Sequence, residues 1–348
     1  MFSKILLDWY TENGRQLPWR NTENAYYIWL SEIILQQTRI EQGRSYYSHF
    51  VTEYPTILDL AKASEQQVLK SWQGLGYYSR ARNLHAAARY VVEELGGRFP
   101  DTYEGILSLK GVGRYTAAAI ASFAYKLPYP VIDGNVYRFI ARMYGIDTPI
   151  GTDQAYREFE QLLSRLIDRE RPDLFNQAIM DFGSLYCKPT GCDCYGCVFR
   201  QDCVAFNKGK VDLLPVKAKK TAVKDRYFYY VDIRWNDHLV LRKREAGDIW
   251  QGLYELPLVE TDKPIAQRWL LGRMRKQLLS WVGEAPAQLE IGPEMVHQLT
   301  HRTIKAQFFR ANYQEKPHLM DEKMRIVDMD ELKTLPISRL IDRYLSKL

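Results

Sequence analysis

A change of hydrophobic period divides this chain in two. Over the first two hundred residues, apolar residues recur at helical spacing in AYYIWLSEIILQQ (25–37), EQQVLKSWQ (65–73), SRARNLHAAARYVVEEL (79–95), RYTAAAIASFA (114–124), NVYRFIARMY (135–144) and DQAYREFEQLLSRLI (153–167). Gly, Pro and short polar breaks such as GGRFPDT and PIGTD separate these blocks, and no alternating stretch intervenes. After LPVKAKKTAVKD (214–225) the period becomes two. RYFYYVDIRW (226–235), a polar ND and HLVLRKRE (238–245) predict two strands about a turn. WLLGRMRKQLLSWVG (269–283) predicts a helix, and HRTIKAQFFRANY (301–313) a strand pair or one long strand. The expected organisation is an all-helical domain over residues 1–213, a basic linker over 214–225 and an α+β domain over 226–348.

A length of 348 residues accommodates two cores, and 46% hydrophobic with 26% charged residues is the balance of a globular protein. The opening MFSKILLDWYTENG carries acidic and polar breaks that a signal peptide lacks, and no run of eighteen apolar residues predicts a membrane span. A cytoplasmic, nucleoid-associated location is expected, where disulfides are disfavoured. The net charge of +6 is unevenly placed. Residues 1–213 hold 24 basic and 24 acidic side chains, 214–225 four lysines against one aspartate, and 226–348 20 against 17. A polyanionic partner is permitted by this balance, and local clusters must carry the case for one.

All five cysteines fall within CKPTGCDCYGCVFRQDC (187–203). Cys187, Cys194, Cys197 and Cys203 give the spacing C-x6-C-x2-C-x5-C, and four thiolates can close a tetrahedral zinc site or hold a cubane iron–sulfur cluster. A reduced, unliganded group is the third alternative. Cys192 interrupts the spacing and reads as a bystander, although an exchange with Cys194 stays open.

LKGVGRYTAAAI (109–120) sets a Gly-Val-Gly turn between two helices. Gly111 and Gly113 permit a tight turn, and the helix that follows begins with unpaired N–H groups that suit a phosphate oxygen, with Lys110 beside them. In QGLGYYSRARNLH (73–85), Gly74 and Gly76 allow close backbone approach, Tyr77 and Tyr78 offer flat faces and Arg80 and Arg82 bring charge. That composition suits a wedge of Tyr77 into a duplex, whereas an ordinary tyrosine-rich core turn is the bland alternative.

Two carboxylates stand in apolar company. Glu32 lies in YYIWLSEIILQQT, where Ile28, Trp29, Leu35 and Gln36 at helical spacing would desolvate it and favour its protonated form. Asp133 precedes a helix in YPVIDGNVYRF, where backbone N–H groups would keep it ionised. One protonated and one charged acid make a glycosidic-bond pair. A solvated helix edge and a plain helix cap are the structural alternatives.

WLSEIILQQTRI, QGLGYYSRARNLHAAA, GVGRYTAAAI, VIDGNVYRFIAR, FNQAIMDFGSLYC and the cysteine loop occur in order over residues 5–205. Together they resemble the adenine DNA glycosylase (MutY) family of the helix–hairpin–helix glycosylases. LRKREAGDIWQGLYELP (241–257) is similar to the start of a Nudix-like domain. The resemblance implies a two-domain chain: an all-α helix–hairpin–helix glycosylase fold with a [4Fe–4S] loop, then an α+β Nudix-like domain that reads 8-oxoguanine. It implies one structural [4Fe–4S] cluster on Cys187, Cys194, Cys197 and Cys203, with Lys188 and Arg200 near phosphate. The implied reaction is monofunctional removal of adenine opposite 8-oxoguanine or guanine in duplex DNA, by a monomer with no membrane partner.

Carried onto this chain, the resemblance makes Glu32 the general acid at adenine N7 and Asp133 the carboxylate that stabilises the sugar cation. Asn135 and Tyr115 would hold this pair. Trp19, Arg20, Leu35 and Gln177 would surround the flipped adenine, and Gln37 and Tyr77 would enter the duplex near the orphaned base. Leu299, Thr300 and His301 would touch 8-oxoguanine, with Thr300 where serine is common. Lys110, Gly111, Gly113, Arg80 and Arg82 would contact the DNA backbone, with Lys110 where proline is common. Three rival readings remain. A lyase would need a lysine where Tyr115 stands. A Nudix pyrophosphatase would need an REx2EE glutamate set that the C-terminal half lacks. A non-enzymatic DNA-binding protein would leave Glu32 and Asp133 incidental.

Overall fold

The computed structural model describes residues 1–218 and 224–347. Every block with helical period becomes a helix: Ala25–Leu35, Glu65–Ser71, Ser79–Glu93, Arg114–Tyr125, Gly134–Tyr144 and Asp153–Leu166. Phe2–Asn13, Ile40–Glu53, Tyr103–Leu107 and Pro172–Asp181 add helices that the periodicity did not isolate. Polar side chains start several of them. Asn24 accepts from the Tyr26 amide, Thr102 from Gly105 and Thr152 from Ala155, and Ser64 forms a reciprocal capping box with Gln67. Among the described residues, no helix is long and apolar enough to cross a membrane.

The chain divides into two compact units, Met1–Lys62 with Asn83–Lys219, and Ala63–Arg82 with Lys220–Leu348. The segment from Ala63 to Arg82 therefore belongs with the later part of the chain. Lys70 donates to the Leu335 carbonyl at 3.1 Å, Tyr78 to Ile337 at 3.3 Å and Arg82 to Gln251 at 2.8 Å. Helical period alone cannot reveal such an exchange, because it reports which face is apolar and not what covers it. Of the expected linker, residues 219–223 lie outside the described residues. Just before them, Leu214 is buried, and the Ile150 amide donates to the Val216 carbonyl at 2.9 Å.

The second unit holds a seven-stranded sheet: β1 (Lys224–Trp235), β2 (His238–Lys243), β3 (Tyr254–Glu255), β4 (Leu258–Thr261), β5 (Gln288–Gln298), β6 (Arg302–Tyr313) and β7 (Met324–Val327). The strand order is β3-β2-β1-β6-β5, with β4 also on β1 and β7 on β2. β1 and β6 run parallel, with Tyr230 opposite Phe308, and the other pairs are antiparallel. Strand period separates two cores. Phe228, Tyr230 and Phe308 pack against Leu340, Ile341 and Tyr344 of helix Arg339–Leu345. Tyr229, Val231, Ile233 and Phe309 pack against Leu270, Met274, Leu278 and Trp281 of helix Gln267–Val282. HRTIKAQFFRANY thus resolves into the single strand β6. Its partner β5 escaped prediction because it is an edge strand, mostly exposed and interrupted by a bulge between Ile291 and Glu294.

In the first unit, the core gathers Leu6, Leu7, Trp9, Val131, Ile140, Phe159, Phe175 and Phe182 from five helices and the loop before residue 133. A fully buried Asn176 organises that loop. Its Oδ1 accepts from the Val131 amide at 3.1 Å, and its Nδ2 donates to Ser122 Oγ at 2.8 Å and to the Tyr129 carbonyl at 2.9 Å. Asn176→Ala would remove all three bonds and strand their buried partners. An unfolding free energy lower by about 2–4 kcal/mol is expected, checked by urea denaturation of the full chain.

Candidate active site

Helix Ala25–Leu35 is buried at nearly every position, from Ala25 and Tyr26 through Ile34, because its sequence is apolar on all sides. Glu32 sits within it and is only 8% exposed, so the solvated-edge alternative does not hold. Burial pushes its carboxyl up to about 7, against the opposing pull of a hydrogen bond from Tyr115 and the charge of Arg20. It faces a cavity of about 220 Å³ that Trp19, Arg20, Leu35, Tyr115, Asp133, Asn135 and Gln177 also line. The structure thus brings together eight sequence-predicted residues drawn from separate elements.

Asp133 is the N-cap of helix Gly134–Tyr144. Its Oδ1 accepts from the amides of Asn135 at 2.8 Å and Val136 at 2.7 Å, and its Oδ2 accepts from Asn135 Nδ2 at 2.8 Å. Burial raises this carboxyl above its ordinary value, and the bonds from Val136 and Asn135 with the charge of Arg138 counter the rise. The cap geometry is as expected, but the site is drier than a surface cap. Burial also raises the Tyr115 phenol well above its usual range, so it stays a neutral donor, and its hydroxyl lies 3.4 Å from Met180 Sδ.

Behind the cavity lies a cluster that sequence reasoning missed. Asp181, fully buried at the end of helix Pro172–Asp181, accepts from Arg20 Nη1 at 2.7 Å and Nη2 at 2.8 Å. It also accepts from the Arg15 amide at 2.9 Å, from Arg15 Nε at 2.8 Å and from Arg15 Nη2. One turn earlier on the same helix, Gln177 Oε1 accepts from the Tyr10 hydroxyl at 2.8 Å. The available signal was the i, i+4 spacing of Gln177 and Asp181 in FNQAIMDFG, but nothing in the sequence pairs Asp181 with residues 160 or more positions away.

The Gly-Val-Gly turn joins helices Tyr103–Leu107 and Arg114–Tyr125. Gly111 has φ +83°, and a Cβ there would lie 2.6 Å from Asn83 Cβ, so glycine is required both for conformation and for space. Gly113 caps the second helix without a side-chain hydrogen bond, which leaves its first N–H groups available, and Lys110 is exposed beside them. Gln37 and Tyr77 are both exposed and both held at positive φ, +53° and +47°. Left-handed backbone at non-glycine residues is strained and concentrates at functional positions.

In the second unit, Tyr77 hydrogen-bonds the Thr300 hydroxyl. Both line a cavity of about 610 Å³ with Leu299, His301, Arg82 and Trp250. Leu299, Thr300 and His301 occupy the tight turn from β5 to β6, closed by the Leu299 amide on the Arg302 carbonyl at 2.8 Å. Arg80 is half-buried against two aromatic rings. Its guanidinium lies 5.0 Å from the Trp72 ring centre and 5.5 Å from that of Tyr77, and burial lowers it to about 10.

The cysteine loop corrects the expectation of a [4Fe–4S] loop and cofactor, and with it the iron–sulfur and metal-binding reading. Among the described residues, no group of three or more His, Cys, Asp or Glu side chains could hold a metal ion. All five cysteines are free thiols around a cavity of about 30 Å³. Cys192 and Cys194 approach to 3.6 Å. Arg142 Nη1 donates to Cys187 Sγ at 3.5 Å and to Cys192 Sγ at 3.7 Å. Burial raises the thiols of Cys194 to about 12 and Cys197 to about 11. As arranged, Cys187, Cys194, Cys197 and Cys203 do not fit the group, and no chemistry is assigned to it. Arg200 instead covers the Tyr195 and Phe206 rings at 5.2 and 5.6 Å.

Comparison with known proteins adds an independent line. Residues 30–165 match the HhH-GPD superfamily of base excision DNA repair proteins, and residues 229–347 match the NUDIX domain. The adenine DNA glycosylase of Buchnera aphidicola subsp. Schizaphis graminum is 32% identical over 262 residues, covering 75% of this chain and 76% of that protein. The human adenine DNA glycosylase is 42% identical over 213 residues, 59% of this chain and 39% of the relative. The structure of a thermostable thymine-DNA glycosylase superposes with a TM-score of 0.56 at 29% identity, over 60% of this chain and 95% of that one.

Proposed function

We propose, from the premise that this chain belongs to the adenine DNA glycosylase family, that it hydrolyses the N-glycosidic bond of adenine paired with 8-oxoguanine or guanine in duplex DNA. The observation that carries the reading is Glu32, a carboxyl buried in an apolar helix and held near neutrality in a cavity it shares with Asp133. A stacked adenine must leave the duplex before its glycosidic bond can be reached. Trp19 and Leu35 then wall the extruded base, and Arg20 and Gln177 meet its polar edge. Glu32 passes its proton to adenine N7, which lets the base leave as a neutral molecule. Asp133, steadied by Asn135, stabilises the positive charge left on the sugar until water adds. Tyr115 supports Glu32 by hydrogen bonding. Among the described residues that line the cavity there is no lysine, which favours simple hydrolysis over Schiff-base chemistry.

Labour is divided along the chain, with residues 1–213 excising adenine and 226–348, beyond the linker, reading the opposite base. Gln37 and Tyr77 enter the duplex from their strained backbone positions, and Leu299, Thr300 and His301 approach 8-oxoguanine. Lys110, Gly111, Gly113 and Arg82 hold phosphates. Arg80, lying over Tyr77, braces the wedge more than it touches DNA. A monomeric protein of the cytoplasm and nucleoid completes the reading.

Three experiments bear on it. Glu32→Gln should keep duplex affinity and slow single-turnover excision by about 10²–10⁴-fold. In the unsubstituted protein, the acid is active when protonated, so the rate should fall as pH rises through about 7. Near-normal excision by the Gln variant would remove Glu32 from its role. Thr300→Val, which deletes the hydroxyl and keeps the shape, should cost about tenfold in rate on A:8-oxoguanine and little on A:G at one fixed salt concentration. Borohydride should trap no covalent protein–DNA adduct, since Tyr115 cannot form an imine.

A further inference from the structure

Asp181 takes no part in lining the cavity, yet it is the most heavily bonded carboxylate near it. Its two oxygens receive both terminal nitrogens of Arg20, at 2.7 and 2.8 Å, together with the amide and guanidinium of Arg15. It is fully buried, and the Arg20 side chain is only 10% exposed, so water screens neither. Arg15 and Arg20 both line the cavity that holds Glu32. Arg20 is further tied to the Arg15 carbonyl at 3.2 Å and to Tyr10 Oη at 3.4 Å. The charged and titratable groups that face Glu32 in this cavity are Arg20 and Arg15 from the N-terminal segment, Tyr115 from helix Arg114–Tyr125 and Asp133 from the cap of helix Gly134–Tyr144. Those that face Asp181 are Arg15, Arg20 and Tyr10.

We infer that Asp181 is a positioning residue that acts through Arg20, holding and neutralising its guanidinium so that Glu32 keeps its proton at the pH where the enzyme works. The inference rests on Glu32 being the acid. A free cation beside a buried carboxyl favours the charged carboxylate, which is useless as a proton donor. A cation already engaged by a buried carboxylate presents much less field, and it can still meet the polar edge of the base. Burial would push the Asp181 carboxyl up, but the bonds and charges of Arg20 and Arg15 outweigh it and hold the group below its ordinary value. It therefore stays ionised across the range in which Glu32 titrates, and works as a fixed counter-charge. Tyr10, which donates to Gln177 and receives Arg20, joins this support to the other polar group at the base edge.

The test is the pH dependence of single-turnover excision on an A:8-oxoguanine duplex at saturating full-length protein. Asp181→Asn keeps the shape and removes the charge, so the falling limb of the profile should move to lower pH by about one unit. Asp181→Glu, which keeps the charge, should move it less. In an Arg20→Met background, Asp181→Asn should leave the limb in place, because the cation through which it acts is gone. A limb that does not move in Asp181→Asn, that moves upward, or that moves equally in the Arg20→Met background would overturn the inference. If Asp181→Asn does not fold, Asp181→Ser, also uncharged, is read in its place: the limb must move to lower pH, and an unmoved or raised limb is the overturning result. Glu32→Gln separates this outcome from failure of the functional reading. Retained excision in that variant removes the acid itself, whereas lost excision with an unmoved limb in Asp181→Asn removes only the role of Asp181.

Discussion

Burial of one carboxyl inside a helix that is apolar on every side is the constraint on which the active site depends. Packing helix Ala25–Leu35 into the core secures the fold, and the same packing withdraws Glu32 from water. The destabilisation that this imposes on the charged form keeps the carboxyl protonated up to about neutral pH. Around it the protein supplies moderation: a neutral phenol from Tyr115, a cation from Arg20 and, behind that cation, the buried carboxylate of Asp181. Asp133 is treated differently, with three short hydrogen bonds that counter part of the rise its burial causes. Two acids of similar intrinsic strength are thereby given different surroundings.

The second unit carries strained backbone at an exposed tyrosine. Tyr77 is exposed, held in the left-handed region and hydrogen-bonded to Thr300, with Arg80 lying over its ring. A residue held at strained φ needs rigid support, and the contacts of Lys70, Tyr78 and Arg82 with the later part of the chain provide it. The exchange of the 63–82 segment into this unit places a residue expected to enter DNA beside the turn expected to read the lesion.

The cysteine loop marks a limit of motif reasoning. Spacing reports how near four thiols are along the chain, whereas ligation needs their sulfurs to converge as thiolates on one point. Here Arg142 lies against Cys187 and Cys192, and among the described residues no group of three or more His, Cys, Asp or Glu side chains could hold a metal ion. The loop still packs on the helical core through Cys187, Cys197 and Cys203.

By itself the sequence determined the class of each half, since periods of 3.6 and 2 are local properties of side-chain order. It also singled out Glu32, Asp133, the Gly-Val-Gly turn and the tyrosine turn, because an acid in apolar company, a cap before a helix and paired glycines are each visible within a dozen residues. Edge strand β5 was not legible, because an exposed, bulged strand carries no apolar alternation. Nor was the membership of residues 63–82, which depends on partners more than 150 residues away. Only the tertiary structure decided that Glu32 is buried and not at a solvated edge, that Asp181 lies behind Arg20 and Arg15, and that Arg142 lies against Cys187 and Cys192. The physical reason is common to all three. Desolvation, charge pairing and hydrogen bonding depend on distances between side chains that the chain brings together only when it folds.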